Sequence, residues 1–333
     1  MMPSSDNIAR ARAHSNIAFI KYWGNRNHNL RLPANSSLSM NLNELHTTTT
    51  VAWVAAAEAD TLEINGRPAD SAALDRASAH LDVIRRRLGI QSKAQVASTN
   101  NFPMGTGIAS SASAFAALTL AAVAAQGGEL SERELSALAR MGSGSAARSI
   151  PAGFVEWHAG DAHETSYAET FVRRDYWDLV DVIAVVSRRH KHIGSSAGHR
   201  EADSSVLQPA RVAGVAQRLG DIKAAIRRRD FELFADIVEA DSNLMHAVMM
   251  TSRPPLFYWD PLSLSVMQAV RNWRAVDGLS VCYTLDAGPN VHCICEAADA
   301  AGVIARLKDL SEQIEILQSG AGPGACVSPT IPV

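Results

Sequence analysis

Strand-like and helix-like segments are mixed along this chain without regular alternation, and that pattern most limits what it can fold into. Residues 36–42 alternate polar and apolar side chains, and residues 47–54 are rich in β-branched and aromatic ones, the marks of strands. Residues 71–88 place Leu74, Leu81, Ile84 and Leu88 at helical spacing, with Gly89 as a stop. A strand over 94–98 feeds a glycine-bearing loop, 100–107, and then an alanine-rich helix over 110–125 that ends at Gly127 and Gly128. Ser131, with Glu134 three residues on, makes a capping box for the next helix. Residues 179–187 read as a buried strand, and 210–226, 230–250, 262–275 and 298–307 as helices. Residues 278–285 and 291–296 read as paired strands around the turn 286–290. Repeated βαβ units would set strand and helix in step. This chain does not, so the expected class is α+β, two layers in each domain. Its 333 residues fit two domains, and the charged run Arg173-Arg174-Asp175 marks the expected division into 1–175 and 176–333.

Apolar side chains make up 47% of the chain and charged ones 20%, which excludes wholesale disorder. A net charge of −3 argues against general binding to a nucleic-acid backbone but leaves room for a local basic pocket. No segment reaches the roughly 20 apolar residues that span a bilayer. The first residues carry arginines but no continuous apolar core, so no membrane partner and no secretory signal are expected. Cys282, Cys293, Cys295 and Cys326 gather in the last third without a CxxC pair. Free thiols in a reducing cytoplasm are expected, with a metal or disulfide as the alternative.

Four segments carry chemistry. In Pro103-Met104-Gly105-Thr106-Gly107-Ile108-Ala109-Ser110-Ser111, two glycines let backbone approach a ligand, and a helix start supplies unpaired N–H groups. This suits the phosphates of a nucleotide, although no Walker-type Gly-Lys-Ser/Thr follows. A capped strand-to-helix turn is the other reading. In Gly142-Ser143-Gly144-Ser145-Ala146-Ala147-Arg148-Ser149, glycines alternate with hydroxyls, and Arg148 offers a two-pronged grip on a carboxylate or phosphate. A flexible linker would read the same way locally, but an apolar segment, 150–157, follows at once. Lys21-Tyr22-Trp23-Gly24-Asn25-Arg26 comes just past an apolar strand, where a pocket edge or an ordinary strand end both fit. Asp286 stands at a strand end before Gly288-Pro289, as a positioned base or as a turn former. The pairs His190/His192 and His158/His163 lack carboxylates at zinc-like spacing, so no metal site is expected there. The runs Arg85–Arg87 and Arg227–Arg229 read as solvated helix ends.

Seven segments in order resemble the GHMP kinase superfamily, and within it the mevalonate diphosphate decarboxylase and phosphomevalonate decarboxylase branch. They are Asn16-Ile17-Ala18 through Lys21-Tyr22-Trp23-Gly24; Leu32-Pro33-Ala34-Asn35-Ser36-Ser37; Asn101-Phe102-Pro103 with its loop; 142–149; Gly153-Phe154-Val155-Glu156-Trp157; Asp241-Ser242-Asn243; and 283–290. The resemblance implies an N-terminal domain like domain 2 of ribosomal protein S5, a ferredoxin-like C-terminal domain, and an active site between them. It implies ATP-dependent decarboxylation of a phosphorylated mevalonate, with Mg2+ on the phosphates, in a cytoplasmic homodimer.

The roles implied are specific. Asp286 would orient or deprotonate the tertiary hydroxyl, Arg148 would hold the substrate carboxylate, and Lys21 would support the developing charge. Pro103, Gly105, Thr106, Gly107, Ala109, Ser110 and Ser111 would hold ATP. Tyr22, Asn25, Arg76, Ser143, Gly144 and Ser145, with Arg148, would hold the substrate. One departure stands out. Diphosphate-using members read Lys-Tyr-Trp-Gly-Lys, and the last position here is Asn25; Ala197 likewise stands where some members carry arginine. Fewer cations suit less phosphate, so mevalonate 5-phosphate, giving isopentenyl phosphate, is the expected substrate, with the 5-diphosphate as the alternative. A non-catalytic binding protein on the same fold is the distant one.

Overall fold

The computed structural model describes residues 7–102, 110–188 and 194–328. Among them the strands are β1 (Ile8–Ile20), β2 (Asn25–Asn27), β3 (Leu32–Pro33), β4 (Ser37–Val54), β5 (Thr61–Ile64), β6 (Arg67–Pro68), β7 (Lys93–Asn100), β8 (Phe154–Trp157), β9 (Ala168–Val172), β10 (Leu179–Val185), β11 (Val281–Thr284), β12 (Val291–Glu296), β13 (Glu315–Gly320) and β14 (Cys326–Ser328). The helices are α1 (Ser71–Leu88), α2 (Ser110–Ala125), α3 (Glu132–Gly142), α4 (Ser195–Glu201), α5 (Gln208–Ala213), α6 (Val215–Arg228), α7 (Phe231–Thr251), α8 (Pro261–Asp277) and α9 (Ala300–Leu310).

The first sheet runs β14-β1-β4-β7-β5-β6, with β8 and then β9 branching from β4. The two strands expected over 36–42 and 47–54 are one, β4. Leu45, 4% exposed, carries the buried face across the join, and a register shift between His14 and Asn16 of β1 absorbs the bend. The segment 150–157 becomes strand only from Phe154, because 144–149 is wound into a 3-10 turn.

Helices α1, α2 and α3 cover one face of this sheet, and Trp53, Leu81, Ile84, Val96, Ala116 and Leu138 share the core. Asp70 caps α1 by accepting from Ala73 N at 2.8 Å, and Gly89 ends it at φ +69°. The capping box of Ser131 and Glu134 starts α3. Arg85 departs from the solvated reading of its run: it is buried, pairs with Asp60 and Asp82, and lies 5.2 Å from the Trp53 ring centroid. Two carboxylates, Asp60 and Asp82, neutralise a side chain that the helix face turns inward.

The second sheet runs β11-β12-β10-β13. Alternate residues of β10 face opposite ways: Val180, Val182 and Ala184 pack with α8 and α9, while Leu179, Ile183 and Val185 pack toward α6 and α7. Gly214 splits the helix expected over 210–226 into α5 and α6, and Arg218 Nη2 takes the freed Arg211 carbonyl at 2.8 Å. The core that includes Leu179 and Ile183 also holds Ile17, Phe19 and Met40 of the first sheet and Phe234 and Val238 of α7. One continuous core therefore fixes the ends of β1 and β11 against each other, and the site forms there. The four cysteines are free, and three of them are buried.

Candidate active site

A cavity of about 500 Å³ opens where β1 ends, beside the starts of α2 and the 144–149 turn. One end is apolar, lined by Leu62, Ile64, Val96, Phe115 and Leu118; the other carries Lys21, Tyr22, Ser111, Ser143, Arg148 and Asp286. Lys21 Nζ donates to Asp286 Oδ1 at 2.7 Å. The lysine is 1% exposed, whereas the aspartate side chain is 26% exposed toward the cavity. Burial lowers the Lys21 ammonium from its ordinary value, with Asp286 opposing. Burial works against charge on Asp286 too, but Lys21, His292 and Arg148 outweigh it and hold the carboxyl below its usual value. Asp286 is therefore an anion at neutral pH, with a lysine fixing one oxygen.

The backbone of Lys21 is held from both sides. Its N–H donates to Asp241 Oδ2 at 2.6 Å, and its carbonyl accepts from Asn35 Nδ2 at 2.9 Å. Asp241 is fully buried on α7 and also accepts from Arg218 Nε at 2.7 Å. One residue on, Ser242 Oγ accepts from Leu285 N at 3.0 Å, beside Asp286. Neighbouring residues of one helix thus set both partners of the ion pair. The family resemblance includes Asp241-Ser242-Asn243 but implies no role for it. The available signal was a charge inside a helix that is otherwise largely apolar on its buried face.

Arg148, 3% exposed, donates Nε to Asn16 Oδ1 at 3.1 Å and Nη1 to Ser37 Oγ at 2.7 Å. Burial brings its guanidinium down to about 10, with Asp286 and Tyr22 opposing. Among the described residues the third nitrogen, Nη2, has no hydrogen-bond partner. Gly144 packs against Tyr22, where a Cβ would lie 2.5 Å from the ring. The Tyr22 hydroxyl donates to Asn25 Oδ1 at 2.6 Å, and burial pushes it up to about 12. Asn25 is itself buried. Ser111 Oγ lies 3.2 Å from Ser143 Oγ, joining the α2 start to the second glycine turn. Ser110, Ser145 and Arg76 line the same cavity, and the Arg76 guanidinium sits 5.2 Å from the Phe115 centroid. Pro103, Gly105, Thr106, Gly107 and Ala109 lie outside the described residues. Among the described residues no cluster of three metal-ligating side chains occurs, and no helix is long and apolar enough to cross a membrane.

The N-terminal domain model of diphosphomevalonate decarboxylase-like proteins matches residues 13–168, and the mevalonate 5-diphosphate decarboxylase C-terminal domain matches 181–322. The chain belongs to the mevalonate diphosphate decarboxylase family. It is 38% identical to a diphosphomevalonate decarboxylase of Aspergillus fumigatus, over 85% of this chain and 75% of that one. With the human diphosphomevalonate decarboxylase it shares 38% over 83% and 73% of the two chains. The Staphylococcus aureus mevalonate diphosphate decarboxylase structure superposes with a TM-score of 0.92 at 35% identity, covering 97% of this chain and 98% of that one. A solved complex described as MDDEF with MVAPP, AMPPCP and magnesium also reaches 0.92, at 36% identity, covering 97% and 99%. The fold of the family member described here is thus the two-domain α+β GHMP kinase fold. These relatives' names specify the diphosphate. That weighs against the monophosphate expected from Asn25, and it favours the alternative.

Proposed function

We propose that this family member is an ATP-dependent decarboxylase of mevalonate 5-diphosphate, giving isopentenyl diphosphate, CO2, ADP and phosphate. The observation that carries the chemistry is the Lys21–Asp286 pair, 2.7 Å apart, sharing a cavity with Arg148. The relatives' names, and the MVAPP in one solved relative, support the diphosphate. A second reading, mevalonate 5-phosphate, rests on one feature: Asn25 is buried, neutral and already engaged by Tyr22.

Asp286 aligns the tertiary 3-hydroxyl for attack on the terminal phosphorus of ATP. Its lowered proton affinity makes it an acceptor that takes the proton late, as the oxygen–phosphorus bond forms. That suits a loose transfer, in which positioning and electrostatics do most of the work. Lys21 holds Asp286 in place and offsets negative charge as it develops. Arg148 presents Nη2 to the substrate carboxylate. When the 3-phosphate leaves, the bond to that carboxylate breaks, its electron pair forms the new double bond, and CO2 departs.

The groups lining the cavity fit ATP. The apolar end suits a base, and the α2 start with Ser110 and Ser111 offers N–H and hydroxyl donors for phosphates. Mg2+ would sit on phosphate oxygens rather than in a protein cage, and would neutralise their charge when bound. Ser143, Ser145, Tyr22 and Arg76 would take the phosphate tail of the substrate. We extend the proposal to a division at residues 175/176 and to a cytoplasmic homodimer. The deciding experiment is kcat/KM for both phosphorylated mevalonates with Mg-ATP and product identification. A preference for the diphosphate supports the reading, and a clear preference for the monophosphate replaces it with the second.

A further inference from the structure

The turn of the hairpin β2–β3 brings Arg31 to the cavity. Arg31, at its turn, has φ +46°, a conformation costly for a residue with a Cβ. The turn is held there. Arg31 N donates to His28 O at 3.3 Å, and the fully buried Arg140 donates Nε to the adjacent Leu30 carbonyl at 3.2 Å. The Arg31 side chain is half-buried and lines the cavity, yet it makes no hydrogen bond or ion pair with any described residue. Arg76 lines the same cavity and stacks over the Phe115 ring. The two guanidiniums face each other electrostatically: burial lowers Arg76, and the charge of Arg31 lowers it further. Asp70 also lines this cavity, but its carboxylate caps α1.

Two cations line one cavity, and among the described residues neither forms an ion pair. Such a pair repels, and an anion bridging it relieves the repulsion. Its place in the cavity sets which anion. Asp286 feels Lys21, His292 and Arg148 most, and Arg31 is not among its main influences. Arg31 sits on the hairpin that starts at Asn25, where Asn25 pairs with Pro33 and accepts from the Tyr22 hydroxyl, and its charge is the one that most opposes burial at that hydroxyl. The pair therefore lies within the polar end, on the side of Tyr22 and Asn25 rather than beside Asp286.

We propose that Arg31, together with Arg76, binds the distal phosphate of the substrate. This supplies from the hairpin turn the cation that position 25 lacks. The assignment rests on the diphosphate reading above and names the subsite that this reading needs. It makes Arg31 a specificity-determining residue for the length of the phosphate chain, not a residue at the bonds that form and break.

The test uses the full chain with Arg31→Gln and Arg31→Lys. For Arg31→Gln, KM for mevalonate 5-diphosphate should rise by about 10- to 100-fold, the scale of one charge-assisted contact. KM for mevalonate 5-phosphate should rise far less, and kcat and KM for ATP should stay within about threefold of native. Arg31→Lys should recover part of the loss. Thermal stability should stay level or increase, because the native side chain has no partner and faces another cation; a merely structural role would lower it. Calorimetric titration with inorganic pyrophosphate separates this proposal from the substrate reading. Native protein should bind pyrophosphate and Arg31→Gln should bind it at least tenfold more weakly, whether or not either mevalonate turns over. Equal KM rises for both substrates, a rise confined to ATP, or pyrophosphate affinity unchanged by Arg31→Gln would each overturn the assignment.

Discussion

Replacing Asp286 with Asn keeps the size of the side chain and removes its charge, so it isolates what the carboxylate does. Loss of a positioned proton acceptor lowers turnover by about 10²- to 10⁴-fold. Removing one partner of a fully buried ion pair costs about 3–5 kcal/mol of stability. Asp286 is 26% exposed, so solvent screening places the expected loss below that range and the variant folds. A second effect is specific to this geometry. Burial lowers the Lys21 ammonium, and Asp286 is the main group holding it up. Without the carboxylate, Lys21 loses its proton at still lower pH. The alkaline limb of residual activity should therefore move toward neutrality, and KM for ATP should change little. The assay is ADP release across the pH range for native and variant protein, with thermal unfolding as the control. Turnover within about threefold of native, or an alkaline limb that does not move, would refute the assigned partnership.

Other consequences follow from single contacts. Arg148→Lys cannot reproduce the bonds to Asn16 and Ser37 while presenting a third nitrogen; kcat/KM should fall by about 10- to 100-fold or more, and normal activity in the variant would remove Arg148 from carboxylate binding. Asp241→Asn sets an amide donor against either Lys21 N–H or Arg218, at a cost of about 1.5–3 kcal/mol. It should lower the unfolding midpoint and kcat together, and unchanged values would dismiss its positioning role. His292, buried against Asp181 at 2.7 Å, has its proton affinity lowered by burial, but Asp181, with Asp286 adding to it, raises it overall. A raised folded value means that the stabilisation is complete below the unfolded value of about 6.5 and fades as pH climbs through the folded one. The unfolding midpoint should fall over that window in native protein, and Asp181→Asn should flatten the slope; identical slopes would contradict the pairing. Chelating Mg2+ should abolish turnover without shifting the midpoint of the nucleotide-free protein, because the described residues form no metal cage. A marked shift would point to a structural ion.

Local signals carried much of the fold. The capping box at Ser131, the stop at Gly89 and the alanine-rich α2 are all written in a few adjacent residues. What escaped is long-range. β4 runs unbroken through Asn43 and Glu44, which fall between the β1 pairings of Asn41 and His46; contacts from β13 hold Glu44 there instead, through Ser319 Oγ and Gly320 N. The burial of Arg85 depends on Asp60, 25 positions away. Within the site, Lys21, Arg148 and Asp286 stand out by residue type and lie in one cavity. The clamp from Asp241 to Lys21 spans 220 positions, and nothing in local spacing announces it. Arg31 carries no motif and stands alone in a turn, and only the fold brings it into the cavity.

The central claim is that the cavity phosphorylates a mevalonate hydroxyl and decarboxylates the product. It is tested most directly by incubating the protein with Mg-ATP and mevalonate 5-diphosphate carrying a labelled carboxyl group. ADP and labelled CO2 should appear in equal amounts, with isopentenyl diphosphate as the organic product. ADP without CO2, leaving a stable 3-phosphate, or no ADP with either phosphorylated mevalonate, would contradict it.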